Sequence, residues 1–201
     1  MIKFDMELRN IEFFVIEEGF QRELIYELQE MDGLKYKFIC SSPTNSCQFD
    51  STLDNEINKL LISNGHNKLL LQFSQSPVSI DYDFCLDIGG KTIVFEIEKA
   101  NKEKVLYDYL KFHIYMEYGV NASVLLAPKN WVHTHGVYNL FDTATQRLSL
   151  CHRYGMGSPS KLRNILVVGF NQVHNGQILN GVIYKEMKKK AREAFTQSKK
   201  G

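Results

Sequence analysis

Cysteine is scarce and scattered: the four residues, at positions 40, 47, 85 and 151, form no CxxC pair and no spacing that suits a zinc site. That argues against a zinc finger and suits free thiols in a reducing, cytoplasmic setting, which is the expectation. An excess of one charge is also missing. With 24 Lys and Arg against 23 Asp and Glu, the formal net charge is +1, so no overall field selects nucleic acid or an anionic surface. Any such partner must be held by a local patch. Long apolar runs are absent too, and the opening stretch MIKFDMELRNIEFFVIEEGF breaks its apolar residues with acids, so a soluble, non-secreted chain with no membrane partner is expected. No internal repeat or low-complexity tract stands out.

What is present is enough apolar material for one core. Hydrophobic residues make up 44% of 201 positions, which suits a single domain over 1–201. Helical spacing of Phe20, Leu24, Ile25 and Leu28 predicts a first helix between Gly19 and Met31, and Lys35 to Cys40 alternates weakly before the loop sequence SSPTNS. Ser51 is a candidate cap for a second helix carrying Leu53, Ile57, Leu60 and Leu61, closed by Asn64-Gly65. LLLQF (69–73) reads as a short strand. A helix is expected over Lys102 to Tyr118, with Val105, Tyr109, Phe112 and Met116 on its stripe, then a buried strand ASVLLAP (122–128). Later elements are a helix over 135–153, a strand NILVVGF (164–170) and a basic helix over 184–197.

Between these lies IDYDFCLDIGGKTIVFEIEKAN, residues 80–101. Gly89-Gly90 is a strong signal for a two-residue hairpin loop, because glycine accepts the positive φ that primed turns need. Pairing Ile88 with Lys91 and counting outward sets Asp83 opposite Glu96 and Asp81 opposite Glu98. Side-chain alternation then gathers Asp81, Asp83, Asp87, Glu96 and Glu98 on one face, with Ile80, Tyr82, Phe84, Leu86, Ile88, Ile93, Phe95 and Ile97 on the other. The apolar face is core. Like charges facing each other across strands are destabilising, and two accounts offset that: a solvated outer face, or a divalent cation on hard oxygen ligands, for which magnesium is suited.

A capped helix with an acid, Glu56, followed by Asp83, a hairpin and Glu96-Ile97-Glu98 resembles the PD-(D/E)XK nuclease superfamily. The resemblance covers residues from about 50 to 128 and implies an α/β, restriction-endonuclease-like core: a mixed central sheet with an antiparallel hairpin, flanked by helices. The remaining segments, 1–49 and 129–201, are then expected to be dimerisation and DNA-binding elaborations. The common motif has lysine at its third position, where this sequence has Glu98, with Lys99 on the opposite face. Glu-x-Glu is similar to the type II restriction endonucleases of the BamHI/BglII type.

That resemblance implies magnesium-dependent hydrolysis of double-stranded DNA, with manganese substituting, by a homodimer. Asp83, Glu96 and the backbone carbonyl of Ile97 are the implied metal ligands, Glu98 a base or second ligand, and Glu56 a residue reaching the metal through water. Asp81 is the rival to Asp83. Expected DNA contacts come from Lys99, Lys102, Lys104 and Lys111 around the acids, and from His152, Arg153, Lys161 and Arg163 in CHRYGMGSPSKLR. The alternatives are a catalytically silent DNA-binding or assembly module of the same fold, and a repair or junction-cleaving nuclease. His133 and His135 form too weak a pair for zinc and read as structural.

Overall fold

Three near-continuous apolar runs, TIVFEI, ASVLLAP and ILVVGF, are the kind of sequence that survives only when both faces of a strand are covered. They form the centre of the sheet in a computed structural model of the chain, which describes residues 1–17, 21–41, 49–71, 81–98, 103–133 and 136–198. In chain order the elements are β1 (Ile2–Phe14), α1 (Gln21–Gln29), β2 (Lys35–Cys40), β3 (Asp50–Ser51), α2 (Leu53–Ser63), β4 (Asn67–Lys68), β5 (Phe84–Ile88) and β6 (Lys91–Ile97). There follow α3 (Lys104–Glu117), β7 (Ala122–Pro128), β8 (Trp131–His133), β9 (Gly136–Tyr138), α4 (Leu140–Arg153), α5 (Pro159–Leu162), β10 (Ile165–His174), β11 (Gln177–Ile178) and α6 (Gly181–Ser198). Among the described residues, no helix is long and apolar enough to cross a membrane.

The main sheet runs β3-β2-β1-β10-β7-β6-β5-β4, with β11 on β10. Only β6–β7 and β7–β10 are parallel, and the other pairs are antiparallel, so the sheet is mixed. A short β8–β9 pair stands apart. Two apolar layers sandwich the sheet. Phe84, Leu86, Ile93, Phe95, Ile97, Val124, Leu126, Val168 and Phe170 pack beneath Leu24 and Leu28 of α1, Ile57 and Leu61 of α2, and Met187 and Ala191 of α6. On the reverse face, Cys85, Val94, Leu125, Ala127 and Val167 pack beneath Val105, Tyr109, Phe112 and Tyr115 of α3 and Leu140, Ala144 and Leu148 of α4. The architecture is therefore the expected α/β one, with helices on both sides of the sheet.

Several boundaries move. The first strand, β1, is an element that the sequence reading does not include, and it fills a central place beside β10. Its alternation buries Phe4, Met6 and Leu8 while exposing Lys3, Asp5 and Arg9, and Asn10 at φ 56° marks the register shift between Arg9 and Glu12. Thr52, not Ser51, stands at the N-cap position of α2, but its hydroxyl makes no capping bond there and accepts from Lys37 N at 2.9 Å, while the Ser51 hydroxyl accepts a hydrogen bond from Leu53 N at 3.2 Å. The strand expected at 69–73 is instead β4 at 67–68; Gln72 and Phe73 lie outside the described residues. The start of the predicted 135–153 helix is a strand, β9, and α4 begins only at Leu140, capped by Asn139.

Candidate functional site

The hairpin pairs as its turn demands. Gly89 and Gly90 both take positive φ, 60° and 76°, and the ladder runs Ile88↔Lys91, Asp87↔Thr92, Leu86↔Ile93, Cys85↔Val94 and Phe84↔Phe95. Asp87 belongs to the turn, since its carboxylate accepts a hydrogen bond from Gly90 N at 2.9 Å. Beyond Phe84 the ladder stops, and Asp83 reaches across: its Oδ2 accepts a hydrogen bond from Ile97 N at 2.6 Å. Tyr82 therefore leaves the face that alternation assigned to it. Its ring meets Tyr115 of α3 edge-on at 6.2 Å.

The acidic face is divided: Asp81 and Asp83 are exposed, whereas its Glu96 and Glu98 end is not solvated, because α3 lies over it. Glu96 is 3% exposed and Glu98 is fully buried. Neighbouring β7 pairs in parallel with β6 and both strands are covered on each side, so a side chain following Val94 on that face has nowhere to reach water except past the helix. From α3, Lys111 places its ammonium on Glu96 Oε1, and the Tyr115 hydroxyl shares its one proton between the same oxygen at 2.9 Å and the Asp81 carbonyl at 2.7 Å. Asp108 Oδ1 stands 3.9 Å from the Lys111 ammonium. Asp108 is fully buried and neither of its oxygens has a hydrogen bond.

Charge is thus concentrated where the dielectric is low. Burial holds the Glu96 carboxyl above its ordinary range, opposed by the Lys111 ammonium, while Asp83 pushes it further up. Asp108 is pushed up to about 7, first by burial and then by Glu96 and Glu98, against the pull of Lys104 and Lys111. For Lys104, burial works against the ammonium, but Asp108, Glu98, Glu96 and Asp83 together more than offset it, so its pKa stands above the usual lysine value.

Of the residues singled out in the sequence, the structure gathers Asp83, Glu96, Ile97, Glu98, Lys104 and Lys111 around one strand end. Glu56 is not in direct contact with them in the same way: it pairs with Lys59 on its own helix at 2.9 Å, and α2 packs into the opposite apolar layer. Lys111 is not the surface lysine expected for a DNA contact, since its side chain is 8% exposed and committed to Glu96. Lys161 pairs with Glu117 and Arg163 with Glu17 at 3.0 Å, while Arg153 is exposed and His152 half-buried at the end of α4. Lys99 and Lys102 lie outside the described residues, as does His135. Asp108 and Tyr115 are the site residues that sequence reasoning missed. Their signal was present: Lys104, Asp108, Lys111 and Tyr115 recur at helical spacing, a polar stripe one position away from the apolar one.

Among the described residues, no group of three or more His, Cys, Asp or Glu side chains is arranged to hold a metal ion. The donors that do stand near one another, Asp83 and Glu96, are hard oxygens, and magnesium needs only one or two carboxylates when waters and phosphate oxygens complete its shell. The carboxyl of Asp108, buried without a hydrogen bond, adds uncompensated acceptor capacity beside them.

Strand order and layering define a restriction-endonuclease-like fold: a mixed central sheet, an antiparallel hairpin carrying acids and helices on both faces. Among solved structures the chain is similar to the restriction endonuclease BglII complexed with a DNA 16-mer, with a TM-score of 0.52 and 12% sequence identity, over 80% of this chain and 75% of that one. At that identity the likeness is one of fold. No protein-family profile and no curated protein sequence matches the chain.

Proposed function

We propose that the chain is a magnesium-dependent endonuclease that hydrolyses phosphodiester bonds of double-stranded DNA, a type II restriction enzyme of the PD-(D/E)XK class in its Glu-x-Glu form. The observation that carries this reading is the buried Glu96-Ile97-Glu98 segment at the end of β6, with Asp83 bonded to its backbone, in a fold similar to that of BglII. Buried charges are poor contributors to stability, and apolar side chains of like volume would serve the core as well or better. Acids kept in such a place point to chemistry.

Asp83, Glu96 and the Ile97 carbonyl would hold the metal, with manganese an expected substitute. Bound there, the cation would lower the pKa of a water and take up charge developing on the phosphate. The chain's own residues set the surroundings. Lys104 keeps its proton among Asp108, Glu98, Glu96 and Asp83, which restrains their mutual repulsion and leaves a cation beside the acids for a phosphate oxygen. Glu98, buried against α3, stands as base or further ligand. Arg153, with Lys99 and Lys102, supplies backbone contacts in this reading, and cutting both strands of a palindrome calls for a homodimer.

One observation favours a second reading. The Lys111 ammonium already neutralises Glu96, as in a silent DNA-binding module that keeps the fold without the chemistry. Digestion of unmethylated plasmid with and without magnesium separates the two. Discrete bands only with magnesium are the expected result, whereas retarded but intact plasmid in a binding assay would establish the silent module in its place.

A further inference from the structure

Lys111 is an unusual lysine for its position. It sits between Tyr107 and Tyr115, one helical turn to either side, and its ammonium lies 5.8 Å from the first ring and 5.9 Å from the second while resting on Glu96 Oε1. Tyr115 is fully buried and its hydroxyl shares the same carboxylate oxygen, but Tyr107 is half exposed. The four-carbon stem thus holds the charge at a fork: inward on Glu96, or outward along an aromatic face that attracts cations. Without the Lys111 ammonium on it, Glu96 would be a buried carboxylate held by the Tyr115 hydroxyl and the more distant charge of Lys104, which is strongly destabilising.

We propose that Lys111 is a built-in counter-ion that occupies the metal's place on Glu96 in the metal-free protein and is displaced toward the Tyr107 ring when a divalent cation binds. The inference rests on the metal-dependent reading above. An ammonium and a divalent cation on one carboxylate oxygen repel each other at a separation where neighbouring charges interact strongly, so Glu96 serves one or the other. Lys111 then keeps the acid cluster folded without metal and sets the metal's affinity by competition. It is a positioning residue, acting through Glu96.

The test is manganese binding to the full chain without DNA, measured calorimetrically for the wild type and Lys111→Met, together with acylation of the wild-type lysines read by mass spectrometry. Coupling of two cations through one carboxylate predicts that Lys111→Met binds manganese about tenfold more tightly than wild type. It also predicts that Lys111 resists acylation without metal and reacts readily at saturating manganese. Equal or weaker binding by Lys111→Met, with wild type still binding, overturns the competition and leaves the metal reading standing. Absence of binding in both proteins overturns the two together. Should Lys111→Met fail to fold, the wild-type acylation decides: a Lys111 that stays protected at saturating manganese is not displaced, and the proposal falls.

Discussion

Asn130 and Asp108 are both buried polar side chains, one in the turn after β7 and one on α3, and they are treated in opposite ways. Every polar atom of Asn130 is used: its Nδ2 donates to the carbonyls of Gln172 and Leu179 at 2.9 and 2.8 Å, and its Oδ1 accepts from Gln172 N at 2.8 Å. That arrangement ties the β7–β8 turn to β10 and the segment before α6. Asp108 has no hydrogen bond and lies in a crowd of charge. The first pattern is what a fold does with a polar group that it needs for its own connections. The second is what it tolerates when another requirement keeps the residue there, as the site proposed on the α3 face of β6 would.

The largest expected effect concerns position 98. Glu98→Lys recreates the commoner motif, yet in this structure it would set a third ammonium beside Lys104 and Lys111 and repel an incoming cation. Cleavage of linear duplex should fall by about a thousandfold or more, each tenfold being about 1.4 kcal/mol. Wild-type rates in that variant would show that position 98 is a tolerant neighbour. At Asn130 the effect is on folding. Asn130→Leu strands Gln172 N and the Leu179 carbonyl, while the Gln172 carbonyl keeps its bond from Leu179 N, and should cost about 3 kcal/mol in urea unfolding, with no specific effect on chemistry; a near-neutral result would erase the contrast drawn here.

Asp108 should move the other way. Its carboxyl is held at about 7 in the fold against an ordinary 3.8, so between these values the folded protein keeps a proton that the unfolded chain has released. Stability is therefore lost as pH rises through this window, and the full cost is felt above it. Asp108→Asn removes that cost and should stabilise the protein by about 2 kcal/mol at pH 8, shrinking toward pH 4. Melting curves across that range check it, and a variant less stable than wild type at pH 8 would show that Asp108 is held by its lysines after all. The smallest effect belongs to the scaffold. Asn139 Oδ1 accepts from Asp142 N at 3.0 Å at the start of α4, and Asn139→Ala should cost about 1 kcal/mol at every pH.

Legibility followed the same division. The hairpin register could be counted from Gly89-Gly90 because a two-residue primed turn leaves one pairing, and β7 declared itself as an unbroken apolar run. Strand β1 was equally open to reading, since Phe4, Met6 and Leu8 alternate with Lys3, Asp5 and Glu7, but the acids among them distract from the period of two. Alternation along one hairpin also sorted its acids onto one side without telling whether that side meets water. What covers Glu96 and Glu98 is α3, brought over the strand by the parallel crossover from β6 to β7, and a tertiary crossing of that kind leaves no mark in the hairpin itself. The partners of Glu96 were hidden for a related reason. Lys111 and Tyr115 lie 15 and 19 residues further on, and a lysine within a helical sequence reads as solvated until the helix is docked.

The central claim is that Glu96 is where the chemistry happens, and the most direct measurement is single-turnover cleavage of duplex DNA in magnesium by wild type and Glu96→Gln. Circular dichroism of both proteins accompanies it. The account predicts that the variant keeps the fold and cuts about a thousandfold more slowly or not at all. A Glu96→Gln protein that is folded and cuts at the wild-type rate would contradict it.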